Sequence, residues 1–154
     1  MDDHHFERTV CACSRCVQCC KRQPGAFAAG EVERLVEHVS KTEGLNAEEA
    51  LMSVKARIWA SPGSLVIWHG KMVRIGSITP RYKHGRCVFL DANDRCSIHS
   101  VAPFGCAMFD THMPDAMAHP RSIYLATSHT KPEYQQLRAT LPMATHYKPM
   151  SYNR

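Results

Sequence analysis

Five of the eight cysteines in this chain fall within ten residues, in the segment CACSRCVQCC that covers residues 11–20. The other three, Cys87, Cys96 and Cys106, lie far downstream. A metal bound by thiolates from both groups would fix the topology of everything between them. The cysteine pattern therefore predicts a metal-binding protein first, and it indicates much less about the purpose of the metal.

The redox compartment decides how these cysteines are interpreted. The N-terminal residues MDDHHF are polar, without the basic and apolar segments of a signal peptide, and no apolar run approaches the roughly 18 residues that cross a bilayer. We therefore expect a cytoplasmic protein, in which clustered cysteines indicate metal or redox chemistry rather than disulfides. Geometry agrees, because a bond between the neighbours Cys19 and Cys20 would be badly strained.

The formal charge of +5 and the pI near 8.8 suggest a basic surface that could bind a polyanion. Four thiolates around one Zn²⁺ carry a net charge of about −2, however, and two such sites would nearly cancel the excess. The charge is thus weak evidence for a nucleic-acid partner, which we expect to be absent. We predict no membrane partner and an unidentified protein partner, and the sequence leaves the oligomeric state open.

The spacing of the first cluster suggests a way to bind metal. Cys13, Cys16 and Cys19 recur every three residues, so a loop can wrap their thiolates around one centre, as in the C-x2-C-x2-C run of bacterial ferredoxins. Cys20 must then face a second centre or the core, while the role of Cys11 stays open. The downstream spacing, C-x8-C-x9-C, is too open for a zinc ribbon and becomes informative only beside the first cluster.

The pattern of apolar and turn residues predicts a small single α+β domain: two N-terminal helices, then short antiparallel strands, cross-linked by a Cys-ligated metal. The domain is expected over residues 11–141, between a disordered segment at 1–10 and a tail at 142–154. Three helices are predicted: one over 31–40, one that begins at a capping box at Asn46 and stops at 61–63, and one that begins at a capping box at Thr130 and stops at Pro142. Strands are predicted over 64–69, 71–77, 87–90 and 123–126. A turn is predicted at 91–94, and loops over 80–86 and 110–122.

With these motifs in view, the chain resembles the YkgJ-type cysteine-cluster family of zinc- or iron-chelating proteins. The first motif is Cys13, Cys16, Cys19 and Cys20. The second comprises Cys87-Val-Phe-Leu, Cys96-Ser-Ile-His and Pro103-Phe-Gly-Cys106. The resemblance implies a small α+β domain held by metal and little about function, although flagellin lysine-N-methylases share this type of motif. Two departures stand out: Ala102 and Ala107 occupy positions where the family often has arginine.

Two ligand schemes fit the seven motif cysteines. In the first, Cys13, Cys16, Cys19 and a remote Cys106 hold a [4Fe–4S] cluster. The remaining Cys20, Cys87 and Cys96 then support a smaller site, with His99 as a further candidate ligand. In the second scheme, four of the seven form a closed tetrahedral zinc site. Thiolates suit both metals, so the sequence leaves zinc and iron–sulfur nearly even.

The function we infer from the sequence is metal binding in which the metal is structural or carries electrons. No nucleophile elbow, metalloprotease helix, P-loop or dinucleotide motif is present in the sequence. One alternative is a cluster-dependent modifying enzyme resembling the lysine methylases, although the chain is short for one. Another is a nucleic-acid-binding module, against which the scattered aromatic and basic residues argue.

Overall fold

A computed structural model describes residues 5–9, 20–21, 24–110 and 113–145, except the side chain of Ser64. It confirms a small single α+β domain with short antiparallel strands. The helices of the described part are α1 (Glu31–Glu43), α2 (Ala47–Lys55), α3 (Phe104–Ala107), α4 (Asp115–His129) and α5 (Pro132–Ala139), with a 3-10 turn at His99–Val101; the strands are β1 (Ile58–Trp68), β2 (Lys71–Pro80), β3 (Tyr82–Lys83) and β4 (Arg86–Cys87).

Helix α1 forms where the apolar stripe predicts it. Val32, Leu35 and Val39 recur at helical spacing and are buried against the core. Gly44 ends the helix in the left-handed conformation that glycine adopts without a side-chain clash. The helix extends to Glu43, three residues beyond the predicted end.

Helix α2 begins at the predicted capping box. The Asn46 side chain accepts a hydrogen bond from the Glu49 amide at 2.9 Å, and the Glu49 carboxylate accepts one from the Asn46 amide at 3.0 Å. The predicted helix end at 61–63 is wrong, because α2 ends at Lys55 and Ile58 already belongs to β1. Long-range pairing with β2 overrides the local helical spacing of Ile58.

The predicted hairpin is confirmed, with longer strands than expected. β1 and β2 pair from Ile58–Pro80 to Trp68–Lys71, with a bulge between Ser61 and Ser64. The two turn residues, His69 and Gly70, both have positive φ, as in the tight turns that match strand twist. The base of the hairpin lies in the core, where Ile58, Ala60 and Ile78 are buried, whereas its far end is exposed.

The basic segment at 80–86 was predicted to be a loop, but it forms a second, small hairpin. β3 pairs with β4 across a turn at His84 and Gly85. Of the predicted 87–90 strand, Cys87 lies in β4 and Leu90 forms an isolated antiparallel bridge with Cys96. The chain leaves the strand because Asp91 organises the following turn. Its carboxylate accepts hydrogen bonds from the amides of Asn93 and Arg95 at 2.8 and 3.0 Å, which confirms the predicted turn at 91–94.

The prediction of a loop over 110–122 and a strand over 123–126 is wrong for the described residues from Asp115 onward, which form helix α4. Pro120 lies only in its second turn, so it removes a single internal hydrogen bond. Burial of Arg121, Ala126 and His129 on one side favours the helix over a strand. Packing against the rest of the domain therefore overrides the prolines as breakers.

Helix α5 is confirmed, but its predicted capping box is not. Lys131 occupies the N-cap position and Pro132 the first helical position, while the Thr130 hydroxyl donates to the Thr127 carbonyl in α4. The helix ends at Ala139, before Pro142. Beyond it the chain continues along β1, because the Pro142 carbonyl and the Ala144 amide both bond to Ala60.

Residues 5–9 also pack on the domain, which was not expected of a segment predicted to be disordered. Phe6 packs against Phe104 and Tyr124, and the Thr9 amide donates to the Ala107 carbonyl at 2.9 Å. The domain boundaries at residues 11 and 141 stay a prediction. No helix among the described residues is both long enough and apolar enough to cross a membrane.

Candidate metal centre

Four of the seven predicted ligands lie in the described part of the chain: Cys20, Cys87, Cys96 and Cys106. Cys13, Cys16 and Cys19, together with Cys11, fall outside it. Cys87, Cys96 and Cys106 carry free thiols in the described part of the chain. Cys87 is buried and the other three are half-buried.

The four thiols come close enough to influence one another electrostatically. Burial, with smaller contributions from negative charge on Cys20 and Cys96, raises the pKa of Cys87 to about 12. Burial likewise raises the pKa of Cys106 well above its usual range, with smaller contributions from the other three cysteines. Residues up to 86 positions apart in the sequence (20 to 106) thus share one region, in which a cation would relieve the mutual repulsion of the thiolates.

Backbone amides oppose part of the effect of burial. Burial raises the pKa of Cys87 and of Cys96, whereas hydrogen bonds from the amides of Phe89 and Leu90 to Cys87, and of Ile98 to Cys96, act in the lowering direction. Such bonds stabilise a thiolate, which is the form that binds metal. Hydrogen bonds to sulfur are also one of the means by which proteins tune iron–sulfur clusters.

Cys106 receives its amide from a remote segment. The backbone N–H of Gly25 donates to Cys106 Sγ at 3.1 Å, although 81 residues separate the two positions. Gly25 follows the first cysteine cluster by five residues, so this contact brings the end of that cluster to the last cysteine of the second.

Glycine at two positions allows this approach. A Cβ on Gly25 would lie 2.1 Å from the carbonyl carbon of Gly105, and a Cβ on Gly105 would lie 2.5 Å from the nitrogen of Ala26. Both distances are too short for any side chain, and the atoms met are backbone atoms that cannot rotate away. The Gly105 amide also donates to the Ala26 carbonyl at 2.9 Å, which fixes the register of the two segments.

A buried carboxylate holds the same junction from the opposite side. Glu31, in the first turn of α1, accepts hydrogen bonds from the amides of Ala28 and Phe104 at 2.6 and 2.8 Å. The second amide belongs to the segment that carries Cys106, two residues on. Glu31 was not among the residues predicted from the sequence to belong to the site. Acidic side chains are common in the first turn of a helix, so the sequence carried no signal that this one is buried.

Basic residues lie beside the cysteines of the candidate centre. Lys21 and Arg86 both contact the Asp94 carboxylate, at 3.0 and 2.5 Å, and these contacts lower the pKa of Asp94. The Asp94 carboxylate thus links Lys21, which follows Cys20, to Arg86, which precedes Cys87. Arg8 was missed by the sequence analysis: its charge lowers the pKa of Cys96, and its guanidinium bonds to the His99 carbonyl.

The described residues do not form a closed site by themselves. Among them, no three His, Cys, Asp or Glu side chains are grouped tightly enough to hold a metal ion. The full ligand set therefore stays a prediction that includes cysteines beyond the described ranges. Ala102 and Ala107, where the family often has arginine, are both buried here.

The thiol chemistry of this region fits a soft or borderline metal, since thiolates are the ligands that zinc and iron–sulfur clusters prefer. No curated protein and no solved structure matches the chain. A family match does cover residues 12–140, most of the sequence, and its description is "Putative zinc- or iron-chelating domain". This match confirms the resemblance drawn from the cysteine motifs. The chain belongs to the CxxCxxCC family.

Proposed function

We propose that this protein binds a metal centre through cysteine thiolates and that the centre is structural or carries electrons. The proposed ligands come from both sequence groups: Cys13, Cys16, Cys19, Cys20, Cys87, Cys96 and Cys106. The observation that supports the proposal most directly is that the Gly25 N–H donates to Cys106 Sγ at 3.1 Å, at a sulfur whose pKa is also raised by the nearby Cys20, Cys87 and Cys96.

The surrounding chain has a clear role in this proposal. Burial raises the pKa of Cys87, Cys96 and Cys106, and the amide donors, together with Arg8 at Cys96, oppose part of that shift. Glu31 and the Gly25–Gly105 contact hold the Cys106 segment against the end of the first cluster. A bound metal would supply positive charge to thiolates that otherwise repel one another, and thereby couple binding to folding.

The metal centre is either a zinc ion or a [4Fe–4S] cluster, and the two use the cysteines differently. A closed zinc site would need four of the seven cysteines and would stabilise the fold without redox chemistry. A [4Fe–4S] cluster would use Cys13, Cys16, Cys19 and a remote cysteine, Cys106 in our scheme, and would add electron transfer. Amide donors to sulfur suit either identity, because both require thiolates.

Elemental analysis, acid-labile sulfide and a visible spectrum of protein purified without oxygen distinguish the two. Iron with sulfide and a broad band near about 400 nm indicate a cluster, and the next step is a redox titration. Colourless protein with about one zinc per chain indicates a structural site. The test variant is a double variant that carries both Cys13→Ser and Cys96→Ser. The control is Cys11→Ser, because Cys11 lies outside the proposed ligand set.

We expect the double variant to lose the metal and much of its stability, and Cys11→Ser to keep both. Metal content and folding that survive the double replacement would overturn the proposal. Loss of metal from Cys11→Ser alone would show instead that the ligand set needs revision.

A further inference from the structure

The far end of the β1–β2 hairpin has a surface that the metal centre does not use. Beyond the bulge, Leu65, Ile67 and Met72 lie on one face and are 57%, 74% and 68% exposed. Val66, Val73 and Trp68 on the opposite face are only half-buried. An isolated two-stranded hairpin is marginal in water and ordinarily needs a further strand or a packed face.

The outer edge of β2 is covered at its base and open at its end. The Gly76 carbonyl accepts from Gln135, and both polar backbone groups of Ile78 are bonded, to Tyr134 and Phe27. Further out, from Lys71 to Ile75, no strand in the described part of the chain pairs with this edge. The unpaired N–H and C=O groups of such an edge form a template for another strand.

The sequence around this hairpin is basic, although two of its arginines, Arg57 and Arg86, are already paired with Glu43 and Asp94. Residues 50–90 contain seven lysines and arginines and no aspartate or glutamate: Lys55, Arg57, Lys71, Arg74, Arg81, Lys83 and Arg86. On the projecting end itself, both Lys71 and Arg74 belong to β2, the strand whose edge is open. Acidic side chains on an added strand would face these cations, and opposite charges across a strand pair stabilise it.

We propose that the end of the β1–β2 hairpin, residues 65–74, binds an extended segment of a partner protein that combines acidic and apolar side chains. The segment adds to the outer edge of β2 by main-chain hydrogen bonds. Its apolar residues cover Ile67 and Met72 on one face of the hairpin, and its carboxylates, which alternate to the other face, pair with Lys71.

Other occupants fit less well. A second copy of this chain would add its own Lys71 and Arg74 to the strand pair and would bring no acidic side chain to face them, since β2 contains no aspartate or glutamate. A nucleic acid would satisfy the cations but would gain little from the exposed aliphatic side chains of Leu65, Ile67 and Met72. A large folded surface needs roughly 20–30 residues on each side, whereas the projecting end offers a single hairpin tip.

The test uses the full-length, metal-loaded protein and a fluorescent peptide of about ten residues that alternates glutamate and valine, because strand side chains alternate between faces. A second peptide carries lysine in place of glutamate. Polarisation measures binding, and the emission of Trp68 in a Trp59→Phe background reports contact at the hairpin end. Sedimentation measures self-association, and anionic vesicles and poly(U) serve as competing polyanions.

We expect saturable binding of the acidic peptide that weakens about tenfold in Met72→Glu, since a carboxylate there removes apolar contact and adds repulsion. Met52→Glu is the matched control, because Met52 has the same exposed fraction, 68%, on α2; we expect less than about a twofold effect there.

Equal binding by Met72→Glu, equal binding of the basic peptide, or no binding at low salt would overturn the proposal. Self-association would overturn the proposal in favour of a second copy of this chain. Vesicles or poly(U) that displace the peptide equally well from the natural protein and from Met72→Glu would overturn it in favour of a membrane or a nucleic acid.

Discussion

Gly25 donates its backbone N–H to the sulfur of Cys106 at 3.1 Å, and this contact joins the two cysteine groups of the chain. It depends on a close approach of two backbone segments, since Gly25 and Gly105 lie where no Cβ fits. The geometry of the candidate metal centre therefore rests on two residues that cannot themselves bind metal.

Replacing Gly105 with alanine is expected to destabilise the protein and to reduce its metal content. The added Cβ would lie 2.5 Å from the Ala26 nitrogen, so one segment must move, at about 1–3 kcal/mol of unfolding free energy. Chemical denaturation and metal analysis measure the two effects. Gly30→Ala is the control, because a Cβ on Gly30 would meet no atom within 4 Å. The backbone φ of +86° still disfavours alanine, so we expect the free energy of unfolding to fall by about 1 kcal/mol and the metal content to stay unchanged. Full metal content in Gly105→Ala would contradict the prediction.

Asp94→Asn is expected to speed the loss of metal to a chelator without a comparable change in global stability. The substitution removes the negative charge of Asp94, with which both Lys21 and Arg86 form ion pairs. These two ion pairs connect the segment next to Cys20 to the segment next to Cys87. Because the ion pairs are exposed, the rate should rise by no more than about fivefold, and the effect should shrink in high salt. Glu37→Gln, which breaks the exposed pair with Lys41 on α1, should leave the rate unchanged. Equal rates for both variants would refute the role of Asp94.

His129 is expected to make the protein less stable in mild acid. Burial lowers the pKa of His129 to about 4, with a smaller contribution from Arg138, although its hydrogen bond to the Phe27 carbonyl opposes the shift. The unfolded chain, with an ordinary pKa near 6.5, binds the proton more readily. This stability is therefore complete above about pH 6.5 and is lost as the pH falls toward 4, by an amount on the order of 3 kcal/mol.

Denaturation across this pH range should show the slope in the natural protein and a flatter profile in His129→Gln. Glutamine can still donate a hydrogen bond to the Phe27 carbonyl but does not titrate. An unchanged slope in His129→Gln would assign the acid sensitivity to other groups.

Tyr134→Phe is expected to lower the free energy of unfolding by about 1–3 kcal/mol. The buried hydroxyl accepts a hydrogen bond from the Ile78 amide at 2.7 Å and donates one to the Phe27 carbonyl at 2.8 Å. Phenylalanine would leave the Ile78 amide buried without an acceptor. Tyr82→Phe, on the half-buried strand β3, provides a comparison and should change stability by less than about 0.5 kcal/mol. Similar losses in both variants would mean that the hydroxyl of Tyr134 has no special role.

Local rules were sufficient wherever the sequence contained a complete local signal. The apolar stripe of α1, its terminal Gly44 and the capping box at Asn46 each involve residues within one or two helical turns, so the pattern alone determines them. The same holds for the turn at Asp91 and for the hairpin around Gly70. The family was likewise evident from the cysteine motifs, because residue type and spacing are properties of the sequence itself.

Tertiary contacts decided the rest. Ile58 continues a helical pattern by spacing but pairs with Pro80 in a sheet, and Pro120 lies within a helix whose buried face packs on the domain. The meeting of Gly25 with Cys106, and the burial of Glu31 against Phe104, depend on segments that are 81 and 73 residues apart. No local pattern encodes such pairings, because their free energy comes from burial and hydrogen bonding that exist only once the chain has folded.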